Sequence, residues 1–549
     1  MIIVGVGGSI HDLSCTLVID GEIKISIDEE RISGEKHGLG KRSHLFRSID
    51  YCLNEMKLKF NDVDYIVSTD LLALTSLHKH LNKIICINHH LAHCASSYYT
   101  SGFDEAAGLV IDGMGTHYID GKSDSISMYY ANRNMGIDII ENMTCDSPSS
   151  YLTSFQSNDN ILINSLGSFY SIITTVCGFG ILQEGKTMGL AAFGKNTYVD
   201  SIKQFIKITF KNEKPSLYFD SVGLYKYASS LLENKNINDN FKEFADVAYA
   251  GQYILEDIIF KIMNYLHEIT GSKYLVYSGG VALNSVLNGK IKKRTPFEHV
   301  FIFPAAGDAG TGIGAALYLY HNILKNSFKK KSSFFLPYLG KEYNELDIET
   351  CLKKYETEII YKKHDYNNII FLAATSIHEG RIIGWYQGRS EIGPRALGNR
   401  SILANPTIKE MKEILNNRVK FREHFRPFAP AVLNDHVSEY FSGDFSCNPY
   451  MLYVANVIDG KKEEIPAVVH VDGTARLQTV TREDNYLFYE LINAYKHISN
   501  IPIVINTSFN IKGKPIVETP TDAIWAFMNS DMDDLFMGNY HIIKEINKY

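Results

Sequence analysis

No stretch of the 549 residues approaches the run of about eighteen apolar residues that a membrane-crossing helix needs. Met1-Ile2-Ile3-Val4-Gly5 has no basic region ahead of its short apolar run, so a secretory leader is not supported and a cytoplasmic protein is expected. The eight cysteines are scattered, with no Cys-x-x-Cys pair, which argues against a disulfide framework or a cysteine zinc cluster and for reduced thiols. Net charge is -7 and no basic stripe stands out, so nucleic acid is a poor candidate for the main partner. The one basic run, Lys329-Lys330-Lys331, precedes Ser332-Ser333 and reads as a solvated connector. Low-complexity segments and a Walker lysine loop are also missing.

What is present is ample core material. Hydrophobic residues make up 45% of the chain, with 34 Tyr and 29 Phe, too much for disorder, and 549 residues exceed what one hydrophobic core supports. Two domains are expected, 1–340 and 341–549, with the boundary in the Lys-, Ser-, Pro- and Gly-rich stretch from Lys325 to Tyr343. The opening reads as strand, Gly7-Gly8-Ser9 turn, then a hairpin over Asp20-Gly21, a pair suited to a turn with two positive φ angles. A related unit recurs where the apolar strand Gly108 to Ile111 enters Asp112-Gly113-Met114-Gly115, suggesting two halves of similar build around a cleft. Apolar residues at helical spacing predict a long helix between Phe244 and Ile269. Strands Tyr274 to Tyr277 and Val300 to Phe303 then run into glycine-containing loops followed by helices, an α/β arrangement whose ligands sit at the carboxyl ends of strands.

Asn88-His89-His90-Leu91-Ala92-His93 carries the sharpest chemical signal. His89 and His93 are four apart, so a helix places both imidazoles on one face, as in a helical bis-histidine metal site; local capping is the bland alternative. Asp112 and Asp308 each follow an apolar strand in a glycine-rich loop, and two imidazoles with one or two carboxylates suit iron, manganese or zinc with positions left open. His11-Asp12 follows the first loop and could supply a general base, a structural role being the competing reading. Ser278-Gly279-Gly280-Val281-Ala282-Leu283-Asn284, with Gly7-Gly8-Ser9 and Gly113-Met114-Gly115, offers backbone N–H groups to a phosphate or an adenosine.

In the second domain Arg389, Arg395, Arg400, Lys420, Arg422 and Arg426 lie among Gly, Pro and aromatic residues, where guanidinium groups suit phosphate oxygens. Salt bridges are the alternative. Arg476 and Asn506-Thr507-Ser508-Phe509-Asn510, after an apolar strand, add a cation and short polar groups that fit a nucleotide triphosphate pocket.

Taken together, these motifs resemble the NodU/CmcH family of O-carbamoyltransferases over nearly the whole chain. The anchors are His11-Asp12, Glu29-Glu30-Arg31 with Lys36-His37, the Asn88 to His93 segment, Ile111-Asp112-Gly113, Glu184-Gly185-Lys186-Thr187-Met188-Gly189-Leu190-Ala191, Gly279 to Asn284, Pro304 to Gly310, and Gly393-Pro394-Arg395-Ala396-Leu397-Gly398-Asn399-Arg400. The resemblance implies an N-terminal actin-like, threonylcarbamoyltransferase-like domain and a C-terminal YrdC-like α/β domain. It implies that the C-terminal domain uses ATP, with Mg2+, and carbamoyl phosphate to make carbamoyl-AMP through carbamate. Arg395, Arg400, Lys420, Arg422, Arg426, Arg476, Asn506, Ser508 and Asn510 are the expected contacts. The N-terminal domain would bind that intermediate through Lys36, Gly113, Lys186, Gly279, Gly280 and Asn284. It would hold iron, or another transition metal, on His89, His93, Asp112 and Asp308. His11, with Asp12, would activate the hydroxyl of a small-molecule acceptor.

Three other readings compete: an actin-like small-molecule kinase or ATPase, a tRNA-threonylcarbamoylating fusion, and a nucleotide-binding protein without turnover. The kinase leaves the arginine-rich domain and the His89/His93 pair without a task, and the missing basic surface argues against tRNA. The expected partner is a small acceptor, with neither nucleic acid nor membrane, and a homodimer is left open. The sequence names no acceptor, and residues 196–240 carry no readable motif.

Overall fold

The computed structural model describes residues 1–39, 45–72, 83–146, 163–211, 214–327, 335–443 and 447–545. The Lys329-Lys330-Lys331 connector lies outside them. The chain forms two compact units, Met1–Ile23 with Phe60–Phe335, and Lys24–Lys59 with Leu336–Tyr549. The division at 335/336 is close to the expected 340/341, but the segment Lys24–Lys59, expected in the first domain, packs with the second unit. Its tethers explain why. Tyr51 Oη donates to Glu518 Oε1 at 2.5 Å and accepts the Lys341 N–H at 2.7 Å, while Arg389 Nη2 donates to the Lys24 carbonyl at 2.6 Å. These are the polar contacts of a built-in part of the unit, which leads to a prediction. Residues 336–549 expressed alone will aggregate, and joining 24–59 to them will restore a soluble product in gel filtration.

The chain begins with β1 (Ile2–Gly7), β2 (Ser14–Ile19), β3 (Glu22–Asp28), which starts in the first unit and continues into the second from Lys24, β4 (Tyr65–Thr69) and β5 (Ile84–Ile87). Asp20 and Gly21 between β2 and β3 both take positive φ, 50° and 81°, as the hairpin reading requires. Then come β6 (Glu105–Ile111), β7 (Lys122–Asn132), β8 (Gly136–Asp146), the hairpin β9 (Ile206–Lys211) and β10 (Lys214–Phe219), β11 (Tyr274–Ser278) and β12 (His299–Ile302). One sheet has the order β3-β2-β1-β4-β5 and the other β8-β7-β6-β11-β12. In each, the central strand is antiparallel to the partner that follows it and parallel to the strand on its other side. This is one topology used twice, as two halves of similar build require. The predicted long helix spans Phe241–Thr270 and buries Val247, Ile254, Ile258, Ile262 and Leu266.

The second unit carries β13 (Tyr338–Glu342), β14 (Ile359–Lys363), β15 (Ile383–Tyr386), β16 (Arg389–Glu391), β17 (Arg400–Ala404), β18 (Ala429–Leu433), β19 (Phe441–Ser442), β20 (Tyr453–Val457), β21 (Thr474–Val480), β22 (Ile503–Ser508), β23 (Asp534–Met537) and β24 (Tyr540–Lys544). Ten of them make one mixed sheet ordered β14-β24-β23-β15-β17-β22-β18-β21-β20-β19, so this unit is α/β as expected. Trp385, Phe488, Tyr495, Phe509 and Phe536 fill its core at 0% exposure. Among the described residues no helix is long and apolar enough to cross a membrane.

The inserted segment also buries Glu29, in the short helix Glu29–Ser33. Burial pushes its carboxyl up to about 7, against the opposing pull of Ser48 and Arg47. Unfolding returns the group to its ordinary value of 4.5, so this residue's contribution falls as pH rises from about 4.5 to 7 and stays low above that. Glu29→Gln should therefore stabilise the protein by about 1–3 kcal/mol at pH 8, with the gain fading by pH 4.5, as read from chemical denaturation at the two pH values.

Candidate metal centre and anion site

Asn88 caps the helix His89–Ser101, its side chain accepting the Leu91 N–H, and one turn of helix brings His89 and His93 onto the same face. Their Nε2 atoms stand 3.1 Å apart. Asp112 follows β6, and Asp308 opens the short turn Asp308–Gly310 after β12. Asp112 Oδ2 lies 3.7 Å from His89 Nε2 and 3.1 Å from His93 Nε2, and Asp308 Oδ1 lies 3.6 and 3.7 Å from the same two nitrogens. The structure thus brings all four expected ligands together, each offering one donor atom.

The spacing fits a metal ion. Donors held at ~2.1 Å sit ~3.0 Å apart on an octahedral edge and ~3.4 Å apart on a tetrahedral one. The carboxylates are also anchored by one oxygen so that the other faces inward. The Gly113 N–H donates to Asp112 Oδ1 at 2.7 Å, and Ser9 Oγ donates to Asp308 Oδ2 at 2.6 Å. Asp112 Oδ2 is buried with no hydrogen-bond partner, an orphaned acceptor that a cation would satisfy. The His89 backbone N–H donates to Thr116 Oγ1 at 2.9 Å, and that hydroxyl donates to Asp70 at 2.9 Å. Ser9, Thr116 and Asp70 were not legible as site residues, since each acts through another residue. If Ser9 aims Asp308, Ser9→Ala should weaken metal binding about tenfold, as measured by competition with a chelating dye.

Burial opposes charge on His89, but Asp308 and Asp112 outweigh it and lift its pKa to about 10. Against the same burial, the nearby imidazoles hold both carboxylates below their ordinary range. His11 belongs to this neighbourhood. Its Nδ1 lies 3.0 Å from Asp12 Oδ2 and its Nε2 4.0 Å from Asp308 Oδ2. Here too burial is outweighed, by Asp308 and Asp12, and the imidazole rises to about 9.

The glycine loops meet the same carboxylates. Gly279 has φ 92°, and a Cβ there would stand 2.2 Å from the Ile111 carbonyl; at Gly280 it would stand 3.1 Å from Asp112 Oδ1. A Cβ on Gly113 would face open space. Asn284 and Lys186 are not drawn in. Asn284 exchanges hydrogen bonds with Gln252 and caps the Leu287 N–H, while Lys186 Nζ lies 5.5 Å over the Phe179 ring. Lys36, expected in the N-terminal domain, lies in the segment that packs with the second unit, where its charge bears on Lys420.

In that unit a π-helical turn, Asn416–Lys420, delivers Lys420 into the interior at 5% exposure. Its ammonium donates to the Ser508 carbonyl, to Ser508 Oγ at 3.2 Å, and to the carbonyl and Oδ1 of Asn510 at 3.1 and 2.8 Å. Arg422 donates to Asn416 Oδ1 at 2.8 Å and lies 4.4 Å over Phe428. Arg426 has Glu423 at 3.8 Å. The Nε atoms of Arg395 and Arg476 are buried without partners, and Asn506 is held by Gln478 at 2.8 Å. Burial and then the neighbouring cations depress the whole group: Arg395 to about 10, Arg422 to about 9, and Lys420 and Arg476 well below their ordinary values. Five cations that repel one another, with so little acid among them, are an arrangement whose charge a polyanion could offset.

Arg400 does not join them. It is fully buried, donates to the carbonyls of Gln387, Asn399 and Gly388, and lies 3.7 Å over the Tyr386 ring. Arg389 is likewise spent on the carbonyls of Gly340, Leu339 and Lys24. Sequence reasoning also missed Glu391, whose Oε1 accepts the N–H groups of Leu397, Asn399 and Arg400 at 2.7, 3.0 and 3.1 Å and so shapes the loop.

A family model described as carbamoyltransferase N-terminus matches residues 71–317, and one described as carbamoyltransferase C-terminus matches residues 374–544. An uncharacterised protein of Synechocystis is 31% identical over 99% of this chain and 96% of its own length. The nodulation protein NolNO of Sinorhizobium fredii is 34% identical over 97% of this chain and 79% of its own. Among solved structures, full-length HypF in a phosphate- and nucleotide-bound form aligns with 59% of this chain and 56% of its own at 15% identity and a TM-score of 0.41.

Proposed function

The chain belongs to the carbamoyltransferase family, and from that premise we propose that it is an ATP-dependent O-carbamoyltransferase that works in two steps. The donor is carbamoyl phosphate and the acceptor is the hydroxyl of a small molecule. What carries this reading is that one chain holds an uncompensated cation cluster in one unit and a four-donor His/Asp cluster in the other.

The first step belongs to the second unit. Water cleaves carbamoyl phosphate to carbamate and phosphate. A carbamate oxygen then attacks the α-phosphorus of ATP, the bond to the bridging oxygen breaks, and carbamoyl-AMP and pyrophosphate form. Arg395, Arg422, Arg426 and Arg476 hold the phosphate oxygens and offset charge as it develops on the leaving pyrophosphate, with Mg2+ accompanying ATP. Lys420, held by Ser508 and Asn510, adds a fixed positive charge.

The second step belongs to the first unit. His89, His93, Asp112 and Asp308 would hold a transition-metal ion such as iron, which when bound supplies Lewis-acid polarisation of the carbamoyl group. Ser9 and Gly113 keep the two carboxylates turned inward. Asp12 accepts the His11 Nδ1 proton and leaves Nε2 to take the proton of the acceptor hydroxyl. With a cation on Asp308 and Asp112, the pull of these two carboxylates on His11 would be partly offset, which favours its basic form. The acceptor oxygen bonds to the carbamoyl carbon, the carbon–oxygen bond to the phosphate breaks, and AMP leaves.

The test needs no acceptor. The purified protein, incubated with ATP and Mg2+, should release pyrophosphate only when carbamoyl phosphate is present. ATP hydrolysis indifferent to carbamoyl phosphate would favour the kinase or ATPase reading instead.

A further inference from the structure

Gly393 opens the loop that carries Arg395, and both of its backbone groups are held by residues far away in sequence. Arg31 Nη2 donates to the Gly393 carbonyl at 2.8 Å across 362 positions, and the Gly393 N–H donates to Asp28 Oδ2 at 3.2 Å across 365. The same Asp28 oxygen lies 3.9 Å from Arg31 Nε. Both residues are buried, Arg31 at 3% and Asp28 at 8% exposure. All three belong to the second unit.

The arrangement is costly. Arg31 Nε and Nη1 have no hydrogen-bond partner, so a buried guanidinium is committed largely to one glycine carbonyl and one carboxylate. Gly393 has φ 84°, a conformation that other residues resist. Downstream, Glu391 fixes the loop again through the N–H groups of Leu397, Asn399 and Arg400. Between these anchors lie Pro394, Arg395 and Ala396, and the Nε of Arg395 has no partner of its own. The position of the Arg395 guanidinium is therefore set by the two ends of a short loop, one of which is the Asp28–Arg31 pair.

We propose that Asp28 and Arg31 are positioning residues of the anion site, clamping Gly393 so that Arg395 is aimed before a phosphate arrives. This rests on reading the cation cluster as a polyanion site. A guanidinium displaced from its target loses much of its effect, because a paired hydrogen bond tolerates little misplacement.

The test is a double-mutant cycle on the full chain, with inorganic pyrophosphate as the probe and affinity read by calorimetry. Arg31→Ala and Asp28→Ala should each weaken pyrophosphate binding about tenfold, and Arg31→Lys, which keeps a cation within reach of the carbonyl, should recover part of the loss. In an Arg395→Ala background neither alanine should cost anything further. Unchanged binding by Arg31→Ala overturns the proposal, and so do losses that add in full to that of Arg395→Ala, since a merely structural role would act in both backgrounds. Should Arg31→Ala fail to fold by circular dichroism, Asp28→Ala decides in its place. Failure of the unaltered protein to bind pyrophosphate would bring down the reading of the cluster and the clamp together, whereas normal binding with an indifferent Arg31→Ala sinks the clamp alone.

Discussion

Replacing Arg476 with methionine should lower carbamoyl phosphate-dependent pyrophosphate release by about 10²–10³-fold and, in the same sample without ligand, raise the thermal midpoint by about 2 °C or more. Both effects have one cause. Loss of solvent around its guanidinium, and then the charges of Arg395, Arg422 and Arg426, push the Arg476 pKa well below the ordinary value, and its Nε is buried without a partner. With no anion bound, that charge is a burden on the fold, and an apolar side chain of similar length removes it. With a polyphosphate bound, the same charge becomes a contact. ATP or pyrophosphate should accordingly raise the midpoint of the unaltered protein and leave that of Arg476→Met nearly still. If the variant melts lower than the parent while binding as well, the cluster is a structural network rather than a ligand site.

His89→Ala and Asp308→Asn should reduce bound metal to background and carbamoyl transfer by about 10³-fold or more, while nucleotide activation stays within about twofold of the parent. The separation follows from the division of labour. His89 and Asp308 belong to the first unit and the cations to the second, and each unit has its own core. His89 is 0% exposed, so its truncation also leaves a cavity, and Asp308→Asn, which keeps volume and shape, is the cleaner of the two. Loss of both half-reactions in Asp308→Asn with metal retained would place the chemistry of both steps in one site.

The His89/His93 pair could be read because helical spacing alone puts two imidazoles on one face, and Asp112 and Asp308 because each follows an apolar strand in a glycine-rich loop. The Asp20-Gly21 hairpin was legible for a similar reason, its two positive φ angles being written into the residue types. The duplicated sheet order was only half visible: two strand–loop units could be seen, but strand order depends on long-range pairing. The fate of Lys24–Lys59 could not be read, because nothing local says that Tyr51 will meet Glu518 467 positions away. Arginine roles were likewise ambiguous. Arg395 and Arg400 are five residues apart in one motif, yet one guanidinium lies beside the like charge of Arg426 and the other is spent on three carbonyls and the Tyr386 ring. Sequence shows that a cation is available, and packing decides whether it is already used.

The central claim is that two chemically distinct sites act in sequence, and the most direct measurement runs both half-reactions on two variants side by side. ATP–pyrophosphate exchange dependent on carbamoyl phosphate should vanish in Arg395→Ala and persist in His89→Ala, with AMP-linked carbamoyl product accumulating in the latter. Exchange that survives in Arg395→Ala, or disappears in His89→Ala, would contradict the account.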